Sequence, residues 1–194
     1  NAKVNWRASN KDRFFLALYA GRDDFDFGDT FGFDWGNRTA TFRWNHLFND
    51  KVFSNTTLIA NSFDYGLGST SATNSFDWDS NLSELSFKED INYYLSPSLS
   101  LDFGYHLTYR RFALGKIVPG ATSILGETEL QNEQALDHAL YVSVKHKISD
   151  RLTLDYGGRL SYFQNVGDYT LYLYDDVQDN INPRRVDSIA YGSF

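Results

Sequence analysis

Leu99-Ser100-Leu101-Asp102-Phe103-Gly104-Tyr105-His106-Leu107-Thr108-Tyr109-Arg110 alternates an apolar or aromatic side chain with a small or polar one, without a break. Successive side chains of a β-strand point to opposite faces, so this run reads as a strand with one oily and one wet face. Its length separates two architectures. Strands of soluble sandwiches usually run about 5 or 6 residues. About 11 residues at about 3.3 Å each, tilted by about 45°, cover roughly 25 Å, the height of the lipid-facing band of an outer-membrane barrel.

The same period recurs on either side. Leu85, Phe87, Ile91 and Tyr93 oppose Glu84, Ser86, Lys88, Asp90 and Asn92, with Glu89 alone on the wrong side. Leu136, Leu140, Val142 and Val144 oppose Asp137, Ser143 and Lys145, and Leu152, Leu154, Tyr156, Leu160 and Tyr162 oppose Thr153, Asp155, Arg159 and Ser161. Earlier, Ala40, Phe42 and Trp44 face away from Thr39, Thr41, Arg43 and Asn45. Residues 13–21 are apolar on both parities, and 52–65 fit either register.

Connections alternate as well. Tight turns are expected at Ser9-Asn10-Lys11-Asp12, Phe48-Asn49-Asp50-Lys51, Ser96-Pro97-Ser98 and Ser149-Asp150-Arg151, all rich in turn-forming residues. Between them stand long polar links at 23–32, 66–79, 115–134 and from 168 onward. Short turns on one rim and long loops on the other are the plan of outer-membrane barrels. The expected fold is all-β: a transmembrane antiparallel up-and-down β-barrel, as about eight strands beginning near residues 2, 12, 34, 52, 80, 99, 135 and 151. Residues 1–194 read as part of one β-barrel domain, and no plug domain is expected among them.

Composition agrees with dispersed rather than clustered apolar groups. Aromatic residues make up 17% of the chain, yet mean hydropathy is −0.44. The longest apolar run, 14–21, falls far short of the roughly 20 residues of a membrane helix. Cysteine is absent, which excludes disulfides and thiolate metal sites. Methionine is absent too and no signal-peptide pattern opens the chain, so an internal or processed fragment is expected. A net charge of −7 excludes the clustered cations of a nucleic-acid partner.

Three stretches, Asp12-Arg13-Phe14-Phe15-Leu16-Ala17-Leu18-Tyr19-Ala20-Gly21, Trp35-Gly36-Asn37-Arg38-Thr39-Ala40-Thr41-Phe42-Arg43-Trp44-Asn45-His46-Leu47-Phe48 and Tyr93-Tyr94-Leu95-Ser96-Pro97-Ser98-Leu99-Ser100-Leu101, resemble barrel segments of TonB-dependent outer-membrane receptors. The phrase from Arg43 through Lys51 into Ser54-Asn55-Thr56-Thr57-Leu58 is the most specific part. The resemblance implies a plugged barrel of about 22 strands, with this chain supplying about a third of it. It also implies energised nutrient uptake across the outer membrane, with outer-membrane lipid, the plug and TonB as partners. No cofactor is implied, and the nutrient is left open.

The polar parity supplies candidate lumen-facing residues: Arg43, Glu84, Lys88, Asp102, His106, Arg110, Asp155 and Arg159, with Asp90, Asp137 and Lys145. They would line a watery channel and dock a plug, or serve only as hydrated wall. Asp102 and His106 stand about 13 Å apart along a strand, too far for an acid–base dyad. No hydrolase elbow, zinc motif or phosphate loop occurs, so no enzyme is expected. Asp23, Asp24, Asp26 and Asp29 would offer oxygen ligands to calcium, but without EF-hand spacing they read as solvated loop charges. Phe25, Phe27, Tyr65, Trp78, Tyr172, Tyr174 and Arg184 are candidate substrate contacts in extracellular loops. Those nearest the strands compete with a second assignment, the aromatic girdle at the lipid headgroups. Two other functions stay open: a small complete barrel acting as adhesin or structural anchor, and a soluble β-rich carbohydrate-binding module.

Overall fold

A computed structural model describes residues 1–28, 30–71, 73–174 and 185–191. The strands are β1 (Ala2–Arg7), β2 (Asp12–Phe27), β3 (Phe31–Asn49), β4 (Val52–Ser69), β5 (Phe76–Ser96), β6 (Leu99–Pro119), β7 (Thr128–Glu129), β8 (Glu133–Ser149), β9 (Leu152–Val166), β10 (Tyr169–Tyr174) and β11 (Arg185–Tyr191). Each strand of the main sheet pairs antiparallel with the next in the order β1-β2-β3-β4-β5-β6-β8-β9, and the short β7 adds to β6. This is the all-β up-and-down arrangement expected from the alternation. Among the described residues the sheet is open, with β1 and β9 each paired on one side only.

The turn chemistry explains the short rim. At 8–12 the Ser9 hydroxyl accepts from the Lys11 and Asp12 amides at 2.9 and 3.0 Å. The Asn49 side chain accepts from the Lys51 and Val52 amides in the same way. Such local side-chain acceptors stand in for backbone partners and favour tight reversals.

At the other rim the strands run further than expected. β5 and β6 each extend 21 residues, and the expected links 23–32 and 66–79 are largely strand, leaving only 28–30 and 70–75 between β2 and β3 and between β4 and β5. The physical reason is that Phe25 and Phe27 alternate with Asp24 and Asp26, a period of two masked by its charge. The expected tail beyond 168 also contains structure, since β10 and β11 pair as a separate hairpin. Gly115, at φ +87° beside the register shift between Asp79 and Asn81, is the bulge position where a side chain would strike the Asp79 carbonyl.

Register fixes the faces. Phe14, Phe42, Leu58, Phe87, Leu107, Leu136 and Tyr162 belong to the apolar face; Arg43, Thr57, Lys88, His106, Ala139 and Ser161 form one cross-strand row of the polar face. Among the described residues no second layer covers the apolar side. Leu85 is 58% exposed, Leu140 57% and Leu160 70%. The only buried hydrophobic residues among those described are Ala135 and Ala139. A sandwich would hide the leucine rows in a dry interior; this sheet turns them outward. Across β1, β2 and β3, Trp6, Phe14 and Trp44 stack with centroids 5.4 and 6.1 Å apart, an aromatic belt just above the short turns.

Candidate functional site

Charge on the polar face is organised into cross-strand clusters. Glu84 of β5 and Arg110 of β6 lie opposite one another. Arg110 Nε donates to Glu84 Oε2 at 2.9 Å, and its Nη1 donates to Asp137 Oδ2 on β8 at 3.2 Å. One guanidinium thus bridges carboxylates from both neighbouring strands, a geometry suited to its planar fork. Beside it, buried Ser86 and Thr108 share a hydrogen bond at 3.1 Å, and Thr108 reaches His106 Nε2 at 3.2 Å.

Lower on the same face Tyr141 of β8 lies across its register partner Gly104. Its hydroxyl donates to Asp90, which also holds Lys88 Nζ at 2.8 Å. The Lys88 ammonium and Arg159 guanidinium stand 5.8 and 5.6 Å from the ring centre, within cation–π range. A Cβ at residue 104 would meet the tyrosine oxygen at 2.5 Å and the Glu89 carbonyl. Tyr141 was missed in the sequence because it sits between Leu140 and Val142, although Asp137, Ala139 and Ser143 share its parity.

The remaining expected lumen residues share this face but not these clusters. Asp102 accepts from Asn92, Asp155 from Ser143 at 3.2 Å, and Arg43 lies opposite Thr57. Asp102 and His106 therefore have different partners. Among the described residues no group of three or more His, Asp or Glu is placed to hold a metal. Asp24 and Asp26 share one parity of β2 while Asp23 has the other, and Asp29 lies outside the described residues.

Toward the long-loop rim the faces exchange character. Phe25, Phe33, Trp35, Tyr65 and Trp78 continue the parity of Arg43 and Lys88 through uninterrupted β2–β3 and β4–β5 pairing. Phe25 and Phe33 are 5.2 Å apart, Phe33 and Trp35 5.4 Å, and Tyr65 and Trp78 6.1 Å. These rings stand on strands rather than in loops, and on the face opposite Leu16, Phe42 and Leu58. They therefore do not extend the apolar band, against the girdle assignment. Phe27 continues the same row and is 71% exposed. Trp78 Nε1 donates to the Leu114 carbonyl at 2.8 Å, which fixes its ring.

The opposite parity turns acidic there. Arg22, Asp26, Asp34, Asp64, Asp77 and Asp79 each stand opposite one of Gly32, Gly36, Gly66 and Gly68, and Asp24 stands opposite Asp34. The glycines make room for side chains reaching across strands: a Cβ at Gly32 would lie 2.6 Å from Asp26 Oδ1, and one at Gly68 would lie 3.1 Å from Asp77 Oδ1. Asn81 joins this lattice, donating to Asp64 Oδ1 at 2.8 Å and Ser62 Oγ at 2.9 Å.

Of the substrate candidates in the last segment, Tyr172 and Tyr174 belong to β10, their side chains outside the description, and Arg184 lies outside the described residues. At the short-turn rim Asp12 accepts from Ser9 at 2.7 Å and Trp44 Nε1 at 3.1 Å and contacts His46 Nδ1 at 2.7 Å. Hydrogen bonding by His46, then Ser9 and Trp44, holds its carboxyl down at about 2.

No protein-family model matches this sequence, and no curated protein matches it either. Among solved structures, the open form of the ferric-catecholate import receptor Fiu from E. coli K12 matches with a TM-score of 0.62 at 14% identity, over 97% of this chain and 41% of the receptor. The chain thus spans about two fifths of that receptor's length. At this identity the likeness is one of fold: an antiparallel, up-and-down sheet of the kind found in an outer-membrane receptor barrel.

Proposed function

We propose that this chain supplies consecutive membrane strands to the plugged barrel of a TonB-dependent outer-membrane importer, and that it works in transport rather than catalysis. The observation carrying this reading is the uncovered apolar face, with Leu85, Leu140 and Leu160 all more than half exposed, on strands of up to 21 residues. Exposed rows of this size are costly in water and favourable against hydrocarbon. The fold likeness to an import receptor supports the same reading.

In this assignment all 194 residues belong to one barrel domain. Arg43, Glu84, Lys88, Asp102, His106, Arg110, Asp155 and Arg159 line the lumen, where the Glu84–Arg110–Asp137 and Lys88–Asp90–Tyr141–Arg159 clusters stiffen the wall and present charge to a plug. The rings of Phe25, Phe27, Tyr65 and Trp78 form an entry wall that stacks on a nutrient, joined by Tyr172, Tyr174 and Arg184. The free edges of β1 and β9 pair with further strands of the barrel.

Fractionation of cells expressing the full-length protein tests the location. Recovery with the outer membrane, with heat-dependent gel migration, is expected; a detergent-free monodisperse monomer would overturn the reading. Transport is tested by growth on a scarce nutrient with TonB present or deleted, where equal growth in both would remove the importer assignment.

A further inference from the structure

At one level the apolar face changes into the acidic lattice, and the residues at that boundary form an unbroken register-paired row. Arg38 of β3 lies opposite Ser62 of β4, Ser62 opposite Ser83 of β5, Ser83 opposite Arg111 of β6, and Arg111 opposite Gln134 of β8. The row directly below is Ala40, Ala60, Leu85, Tyr109 and Leu136. Above it stand Asp64 and Asn81.

Donors in this row point outward and are under-used. Arg111 is exposed and outside every ion pair among the described residues. The Arg38 side chain is 67% exposed, its nearest carboxylate oxygen being on Asp64 at 3.8 Å. Gln134 Oε1 accepts from Tyr109 Oη at 2.6 Å, which leaves the amide nitrogen to donate. Ser62 Oγ accepts from Asn81, so its hydrogen remains available.

Height adds the second argument. Arg38 and Arg111 stand about 11 or 12 residues above the short turns, and about 3.3 Å per residue at a tilt of about 45° lifts them roughly 26–28 Å, the top of a barrel's apolar band. Separated by three strand spacings of about 4.8 Å, the backbone positions of the two arginines lie about 14 Å apart, within joint reach of one headgroup. Two hydroxyls fill the gap between them.

We propose that the Arg38–Ser62–Ser83–Arg111–Gln134 row binds the phosphate-bearing headgroup of an outer-leaflet lipid, with its acyl chains lying on the Ala60–Leu85–Tyr109 surface. Guanidinium forks match phosphate oxygens, and cations at the headgroup level attract anionic lipid. The aspartates above repel the same phosphate and so fix its height. This inference rests on the membrane assignment proposed above.

The test uses the full-length protein purified in mild detergent and, as probe, lipid A beside its dephosphorylated form, with binding followed by native mass spectrometry. Wild type is expected to bind the phosphorylated lipid at least tenfold tighter. At about fivefold per arginine, R38Q/R111Q is expected to lose about 25-fold for phosphorylated lipid only, while R38K/R111K keeps most of the affinity. Equal binding of both lipids by wild type, or unchanged affinity in folded R38Q/R111Q, overturns the proposal. Heat-dependent gel migration verifies folding, and where the double variant does not fold, R111Q and the wild-type lipid comparison decide. Absence of the protein from the outer membrane would instead defeat the membrane assignment.

Discussion

Below the Arg38–Arg111 row the sheet turns leucines and rings to one side and charge to the other; above it the same strands turn aspartates to that first side and rings to the second. Pairing is continuous through the boundary in β2, β3 and β4, so the exchange is written in the sequence of each strand and not produced by a twist or a slip. The two regions teach that a strand's parity is structural while its polarity follows the solvent at each height. In the lower band the apolar side faces outward and is uncovered by protein. Under the proposed membrane assignment no hydrocarbon lies outside the upper wall, so its outer side is free to carry charge and its inner side to carry rings.

The largest effect should come from a charge placed in the lower band. Val144→Arg, five residues above the short turn and so near the middle of the band, is expected to destabilise the full-length barrel by about 2–4 kcal/mol, whereas Asp77→Arg, on the same face of the upper wall and exposed, should change unfolding in urea by less than about 1 kcal/mol. Comparable losses at both positions would break the distinction between the regions.

Next is Arg110→Leu, which strands Glu84 and Asp137 without their shared cation. Partial exposure of the group, with 30% of the Arg110 side chain accessible, moderates the cost to about 1–3 kcal/mol. Urea unfolding of the double variant Arg110→Leu/Glu84→Leu sharpens this, because recovery of part of the loss is expected once one stranded carboxylate is also removed.

Glycines in the two regions should respond differently. Gly104→Ala drives a methyl against the Glu89 carbonyl and the Tyr141 ring, an overpacking cost of about 1–3 kcal/mol. Gly66→Ala meets the carboxylates of Asp34 and Asp79, side-chain ends that swing aside, so less than about 1 kcal/mol is expected. Melting temperatures of the two variants give the order directly.

The smallest effect is at the short-turn rim. The Asp12 carboxyl is held down at about 2 from the ordinary 3.8, so its contribution is complete above about pH 4 and disappears as pH falls through about 2. A change in Trp44 emission over that interval, read as the difference between wild type and Trp44→Phe, is expected, since Trp44 Nε1 donates to Asp12. A difference constant down to pH 2 would contradict the assignment.

Much of the strand ladder was legible. Expected starts near 2, 12, 52, 99 and 151 agree with Ala2, Asp12, Val52, Leu99 and Leu152, because turn residues and period-two runs are local signals. The starts near 34, 80 and 135 lie two to four residues after the observed Phe31, Phe76 and Glu133. At the first two, Asp24, Asp26, Asp77 and Asp79 have the composition of a loop while they alternate with rings, so charge masks the period of two. The shared face of Glu84, Lys88, Asp102, His106 and Arg110 also followed from parity. Their division into an Arg110 cluster and a Tyr141 cluster did not, since that depends on which residue of one strand stands opposite which residue of the next.

By itself, then, the sequence determined an all-β ladder with one oily and one wet side and short turns at one rim, through alternation and turn chemistry that act within a few residues. Only the tertiary structure decided the register. Cross-strand pairing joins residues distant in the chain, and it alone places rings above charges on one face and sets two arginines three strands apart in a single row on the other.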